Sequence, residues 1–370
     1  MILSAWILVL LAIPVLLAGE WLVRRVAVLS RFNIPAPVVG GLLVSVVVLL
    51  ANLSGAHIEF GQQVAARWWT WLVTIEPEWL HAPAKGVNLP FLVGFFTCIG
   101  LNASWTLAKR GSMQVLLFWA LAGALGLLQN LLGVSLARAL DTPPLLGLIC
   151  GSVSMTGGHG TALGFAPDLE KAGLQGAAVF GVAAATFGLV AGGLLGGPVG
   201  GGLIRRNRLE STASLETHLQ MGRTGVAGIL NDLGRLAGFG ASAAAHLLLT
   251  LVCVKLGAWG SFFIQQTGVT FPVYMGAMLL GVAVRNVADL LNPRWIRTEL
   301  IDLIASVMLG LFLTIAMMGL NLRELASVAL PMLVILCAQI ALMALFAWFV
   351  TFRVMGRDFD AAVMAGGHCG

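Results

Sequence analysis

The sequence predicts an all-α polytopic membrane protein made of two inverted-topology five-span repeats, each with a re-entrant Gly-rich loop, the second repeat incomplete. Three observations predict it. The 370 residues are 59% hydrophobic and only 10% charged, with a mean hydropathy of +0.95. Apolar windows of span length recur along the chain. Three short motifs appear twice, in the same order.

Soluble domains are about a quarter charged, so the composition excludes an ordinary cytosolic enzyme, a disordered chain and a nucleic-acid binder. Forty-six Gly and one Tyr speak against a β-barrel, which needs alternating strands and aromatic girdles. The net charge of +5 reads as loop Lys and Arg of a membrane protein. The five Cys form no C-x-x-C pair and read as small buried hydrophobes.

The apolar windows fall near 2–22, 36–53, 89–108, 113–137, 145–165, 176–204, 239–258, 270–287, 300–320 and 326–352, with a final stretch at 361–370. No basic region precedes the first window, so it is a first span and not a cleaved signal. The window 145–165 opens on Pro143-Pro144 and holds Gly151, Gly157, Gly158, Gly160 and Gly164 among Ser and Thr. A lipid-facing helix does not use that composition. Irregular backbone at membrane depth belongs inside protein or beside a wet cavity, which predicts a re-entrant hairpin or broken helix. With the N-terminus outside and this window returning to its own side, fifteen Lys and Arg fall inside against six outside, as the positive-inside rule requires. Trp21, Trp105, Trp259 and Trp295 stand at span ends as interfacial anchors. Residues 57–88, with Trp68, Trp69, Trp71 and Trp79, read as an amphipathic segment on the outer surface.

The repeat follows from three matches. Pro37–Leu43 matches Pro272–Met278, Gly100-Leu101-Asn102 matches Gly319-Leu320-Asn321, and Gly157-Gly158-His159-Gly160 matches Gly366–Gly370 apart from Cys369. Residues 1–204 form the first repeat, the charged segment 205–235 a cytoplasmic linker, and 236–370 the second repeat. Five spans precede the linker, so the second copy enters the membrane inverted. That is the plan of secondary transporters, with a site at the repeat interface. The first copy runs on from Gly160 through a Gly-rich span to Ile204. By symmetry the second lacks its last span, roughly 44 residues.

The loop Ser152–Thr161 concentrates hydroxyls and open backbone. Its N–H groups suit carboxylates, and its carbonyls and hydroxyls suit Na+. The other reading is a Gly-mediated helix crossing with His159 as a satisfied core histidine. Asn102 and Asn321, with Thr97 and Thr314 nearby, either cap a broken helix or donate oxygen to an ion. His246, Gln129, Asn130 and Gln339 lie within spans and predict interhelical hydrogen bonds. Glu20 and Asp302 read as interfacial. The ladder Gly188, Gly192, Gly196, Gly200 predicts close helix packing and suits a helix that slides. Ser154 and His159 admit a remote reading as an intramembrane hydrolase, with no nearby carboxylate to orient the histidine.

The stretch GSVSMTGGHGTALG (Gly151–Gly164), with ATFGLVAGGLLGGPVG (Ala185–Gly200), resembles the bacterial glutamate:sodium symporters. So do IPAPVVGGLL (Ile34–Leu43), FFTCIGLNA (Phe95–Ala103), GLNLRELASVALPML (Gly319–Leu333) and FVTFRVMGRDFDAAVMAGGHCG (Phe349–Gly370). The likeness departs in 57–88. The resemblance implies a non-enzymatic, Na+-coupled uptake of L-glutamate across the bacterial inner membrane, where the outside N-terminus of the charge count is periplasmic. It implies no cofactor beyond Na+ as coupling ion, membrane lipid and a homodimer as surroundings, and no nucleic acid. The substrate residues it points to are Ser154, Thr156, Gly157, Gly158, His159, Gly160, Thr161, Gly366, Gly367, His368 and Cys369. Thr97, Asn102, Thr314 and Asn321 are the sodium candidates. A carrier of another carboxylate, such as citrate, is the alternative. Family members continue past the second Gly-Gly-His motif through another span.

Overall fold

The computed structural model describes residues 2–31, 34–81, 84–105, 112–210, 228–268, 271–291 and 295–368. The main helices start and stop where the local chemistry dictates. Helix α1 (Ala5–Arg25) is capped by the Ser4 side chain and ends on Arg24 and Arg25, which suit the negative helix terminus. Helices α2 (Ala36–Leu53) and α3 (Leu89–Asn102) carry Pro in their first turn, where no N–H is missed. Then come α4 (Ser112–Ala139), the short α5 (Pro144–Leu148), a π-helical turn at Ile149–Val153, α6 (Gly158–Lys171) and α7 (Ala177–Asn207). The second half holds α8 (Ile229–Gly238), α9 (Ala241–Gln266), α10 (Met275–Leu291), α11 (Thr298–Met318) and α12 (Ala329–Phe346). The last helix, α13 (Phe359–Gly367), is capped by Asp358, which accepts from Ala361 N at 2.7 Å.

Among the described residues seven helices are long and apolar enough to cross a membrane: Ala5–Arg25, Ala36–Leu53, Met113–Ala139, Ala177–Asn207, Ala241–Gln266, Thr298–Met318 and Ala329–Val354. The expected spans at 89–108 and 270–287 are shorter. Helix α3 has 14 residues, about 21 Å at 1.5 Å per residue. Helix α10 has 17, and it carries Arg285 ion-paired to Asp289 at 3.1 Å, both nearly buried. Neither reaches the roughly 30 Å of a hydrocarbon core when straight.

Residues 57–88 are not one amphipathic segment. Glu59–Phe60 pairs in parallel with Ile2–Leu3, Gln63–Val64 pairs antiparallel with Lys85–Gly86, and short helices fill Arg67–Thr70 and Glu76–His81. Trp6 stacks on Trp68 at 5.1 Å and meets Trp69 edge-on at 5.5 Å. Residues 211–227 of the linker lie outside the described residues, and its two ends are helical. Its first residues complete α7, and its last ones open α8, whose Asp232 is buried and accepts from Ser306 Oγ of α11 at 2.7 Å.

The chain divides into two compact units, each drawing on both halves of the sequence. The first comprises Met1–Ala27, Pro35–Arg110 and Ala227–Leu322. In it helices from the two halves of the sequence pack on each other: α2 packs on α11, and α10 packs on α3. The crossings are alike. A Cβ on Gly41 would come 3.0 Å from Thr314 O, and one on Gly281 would come 2.8 Å from Thr97 O. Only glycine admits so close a backbone approach. The second unit comprises Val28–Ile34, Gly111–Val226 and Arg323–Gly370. Its core joins Leu125, Val199, Leu203, Met343, Phe346 and the Ala361-Ala362-Ala365 face of α13.

Candidate functional site

The two Gly-Gly-His motifs lie in the second unit, and both seat on α7. The first sits where a helix breaks. Gly151 has φ −89° and ψ −140°, far from helical values, and Gly158 has φ +68°, the left-handed region that glycine enters freely. The expected break at 145–165 is thus present as α5, the π turn and α6.

The broken segment is held by side chains of α4. Asn130 Oδ1 accepts from both Ser152 N and Ser152 Oγ at 2.9 Å. A Cβ on Gly151 would stand 2.7 Å from that oxygen, so the cap needs a glycine opposite it. Thr156 Oγ1 donates to Gln129 Oε1 at 2.7 Å. Gln339 Nε2 of α12 donates to Gln129 O at 2.7 Å. Gln129 and Gln339 are fully buried. His246, the fourth expected intramembrane partner, accepts from Arg297 N at 3.0 Å in the first unit.

His159 Nε2 lies 2.9 Å from Thr186 Oγ1, whose own proton goes to Val182 O at 2.8 Å. The imidazole therefore carries its hydrogen on Nε2 and donates it to Thr186. Ser154 is buried, and its Oγ has no hydrogen-bond partner among the described residues. No Ser154–His159 bond forms, so the hydrolase reading has no geometry behind it.

The glycine ladder of α7 packs closely, as its spacing predicts. Met155 Sδ would stand 3.0 Å from a Cβ on Gly188. Gly366 O would stand 2.8 Å from a Cβ on Gly196, and Ala362 O 3.1 Å from one on Gly200. Gly188 and Gly196 are two ladder steps apart, about 12 Å along the helix. One ridge of α7 thus receives both motifs, although more than 200 residues separate them. In the second motif His368 Nδ1 is 3.0 Å from Thr351 Oγ1, its ring lies 4.9 Å from that of Phe118, and its Nε2 is buried without a partner among the described residues. Gly157 packs on Thr161, Gly160 is buried in α6, and a Cβ on Gly367 would meet nothing within 4 Å. Cys369 lies outside the described residues.

The sodium candidates fall in the first unit, and the structure does not gather them into one cluster. Thr97 and Thr314 are fully buried, and each hydroxyl donates to its own helix four residues back, at 2.7 Å to Val93 O and 2.8 Å to Gly310 O. Asn102 Nδ2 donates to Asp302 Oδ1 at 2.6 Å, leaving Asn102 Oδ1 buried and without a partner among the described residues. Asp302 is in the first turns of α11, whereas Asn321 is exposed just past its end. About 24 Å of helix separates those places. Glu20, expected at the interface, is buried near Arg24 at 3.8 Å.

Sequence reasoning left Asn130, Gln129, Gln339, Thr186 and Thr351 out of the site. A signal existed for the glutamines: they stand 210 residues apart, within the range of the motif offsets. Nothing in the sequence marks Thr186 or Thr351 as histidine partners.

A family profile described as Sodium/glutamate symporter matches residues 1–74 and 82–370. The chain is 34% identical over 366 residues to the sodium/glutamate symporter of Haemophilus influenzae, covering 97% of this chain and 83% of that one. It is 33% identical over 361 residues to the sodium/glutamate symporter of Escherichia coli (strain K12), covering 96% and 82%. The sodium/glutamate symporter of Shigella flexneri matches to the same extent. No solved structure matches the chain.

Proposed function

The chain belongs to the sodium/glutamate symporter family, and from that premise we propose that it takes up L-glutamate with Na+ across the bacterial inner membrane, its N-terminus on the periplasmic side. It is a multi-pass membrane transporter and not an enzyme. A carrier of citrate or another carboxylate has no observation in its favour.

The observation that supports a substrate site is the polar break at 149–161, buried in a span-rich unit and held by Asn130, Gln129 and Thr186. We assign L-glutamate to Ser154, Thr156, Gly157, Gly158, His159, Gly160 and Thr161, and to the second motif at Gly366, Gly367, His368 and Cys369. Open N–H groups of the break receive carboxylates. Ser154 Oγ, buried and unpartnered among the described residues, offers a further contact. Leaving such a group unpaired costs about 1–3 kcal/mol, so a ligand that reaches it gains that much.

Na+ takes hard oxygens. We assign it to two places, one per repeat: the oxygens of Thr97 and Asn102, and those of Thr314 and Asn321. Each threonine hydroxyl proton is engaged on its own helix, which leaves oxygen lone pairs for a cation. Asn102 Oδ1 is the oxygen best suited, since no described group occupies it. The two copies act as inverted repeats with re-entrant motifs, and the protein works as a homodimer in the bilayer.

Uptake of labelled L-glutamate into proteoliposomes tests the reading. Accumulation occurs with an inward Na+ gradient and stops when choline replaces Na+. Equal accumulation in choline refutes sodium coupling.

A further inference from the structure

Residues 75–81 fall outside the family match, and the helix Glu76–His81 fills them. Between this helix and α9 lies a cavity of about 200 Å³, lined among others by Arg67, Trp71, Ile75, Glu76, Lys255 and Trp259. All of these residues belong to the first unit. We propose that this cavity binds a phospholipid headgroup bearing both a phosphodiester and a primary ammonium, the chemistry of phosphatidylethanolamine.

The charges select that headgroup. Arg67 Nη2 lies 2.6 Å from both oxygens of Glu76. Lys255 Nζ donates to Trp71 O at 2.6 Å and Thr74 O at 2.7 Å, and it stands 4.4 Å from the centre of the Trp71 ring. An ammonium has three donors, so one N–H of Lys255 remains for a ligand. Two cations receive a phosphate, and the carboxylate receives an ammonium, aided by the face of Trp259. A purely anionic headgroup would meet the Glu76 carboxylate with nothing to offer it.

The surroundings favour a lipid over a soluble zwitterion. Trp68, Trp71, Trp259 and Phe263 are 73%, 54%, 44% and 58% exposed. Exposed indoles mark the headgroup level of a bilayer. Lys255 rises from α9, a helix of span length. The seven residues outside the family match supply Glu76.

Native mass spectrometry of the protein in mixed phosphatidylethanolamine and phosphatidylglycerol tests the site. The wild type retains phosphatidylethanolamine about tenfold over phosphatidylglycerol. Glu76→Gln shifts that preference toward phosphatidylglycerol, and Arg67→Gln, a half-exposed position, lowers retention of both lipids with helicity and glutamate uptake unchanged. Lys255→Met lowers retention of both lipids. Millimolar phosphoethanolamine, inorganic phosphate or L-glutamate leaves the bound lipid in place. Unchanged retention in Arg67→Gln and Lys255→Met, equal retention of the two lipids by the wild type, or displacement by any of the soluble compounds overturns the proposal.

Discussion

Gly366 of α13 lies backbone to backbone against Gly196 of α7: a Cβ on Gly366 would stand 2.7 Å from Gly196 O, and one on Gly196 2.8 Å from Gly366 O. The second Gly-Gly-His motif is thereby fastened to the helix that also seats the first. Gly196→Ala therefore destabilises the protein by about 1–3 kcal/mol, the usual cost of overpacking. Gly197→Ala, whose Cβ would meet nothing within 4 Å, does not destabilise and gains up to about 1 kcal/mol, since Ala is the better helix former. Thermal unfolding in detergent separates the pair, and equal effects would contradict this packing.

Asn130 holds the helix break through two bonds to Ser152. Asn130→Leu strands the Ser152 N–H and costs about 1–3 kcal/mol, while Ser152→Ala loses only the hydroxyl bond and costs about 1 kcal/mol. The same unfolding measurement ranks them. A milder effect for Asn130→Leu would show that the break does not depend on this cap.

His159 gives its Nε2 hydrogen to Thr186. His159→Ala lowers glutamate uptake by about tenfold or more, equivalent to ~1.4 kcal/mol. Thr186→Val loses part of the same activity, and Thr186→Ser keeps it. Initial rates in proteoliposomes decide. Wild-type rates in both His159→Ala and Thr186→Val would remove the imidazole from the substrate site.

Much of this arrangement is legible in the sequence. The apolar windows give the long helices, the Gly and Ser run at 151–164 gives the break, and the four-residue ladder gives the ridge of α7. These are local signals, set by hydropathy and by residues that permit close approach. The packing between helices from the two halves of the sequence is not local. Gly41 meets α11, and Gly281 meets α3, through contacts more than 180 residues apart. Helix α8 hides among linker charges, because its buried Asp232 is explained only by Ser306 on a distant helix. The histidine partners Thr186 and Thr351 are equally silent, since threonine in a helix ordinarily bonds its own backbone.

The sodium assignment predicts a change in one parameter. Thr97→Val and Asn102→Ala raise the Na+ concentration for half-maximal uptake about tenfold, ~1.4 kcal/mol, and leave the L-glutamate requirement at saturating Na+ unchanged. Sodium titrations of uptake measure this. An unaltered sodium dependence in both variants would withdraw these oxygens from ion binding.

Titration calorimetry of L-glutamate into the purified protein tests the central claim most directly, with Na+ and with choline in its place. The account predicts binding in Na+, binding at least about tenfold weaker in choline, and loss of the Na+-dependent heat in His159→Ala. Equal affinity in the two salts, with His159→Ala indistinguishable from the wild type, would contradict it.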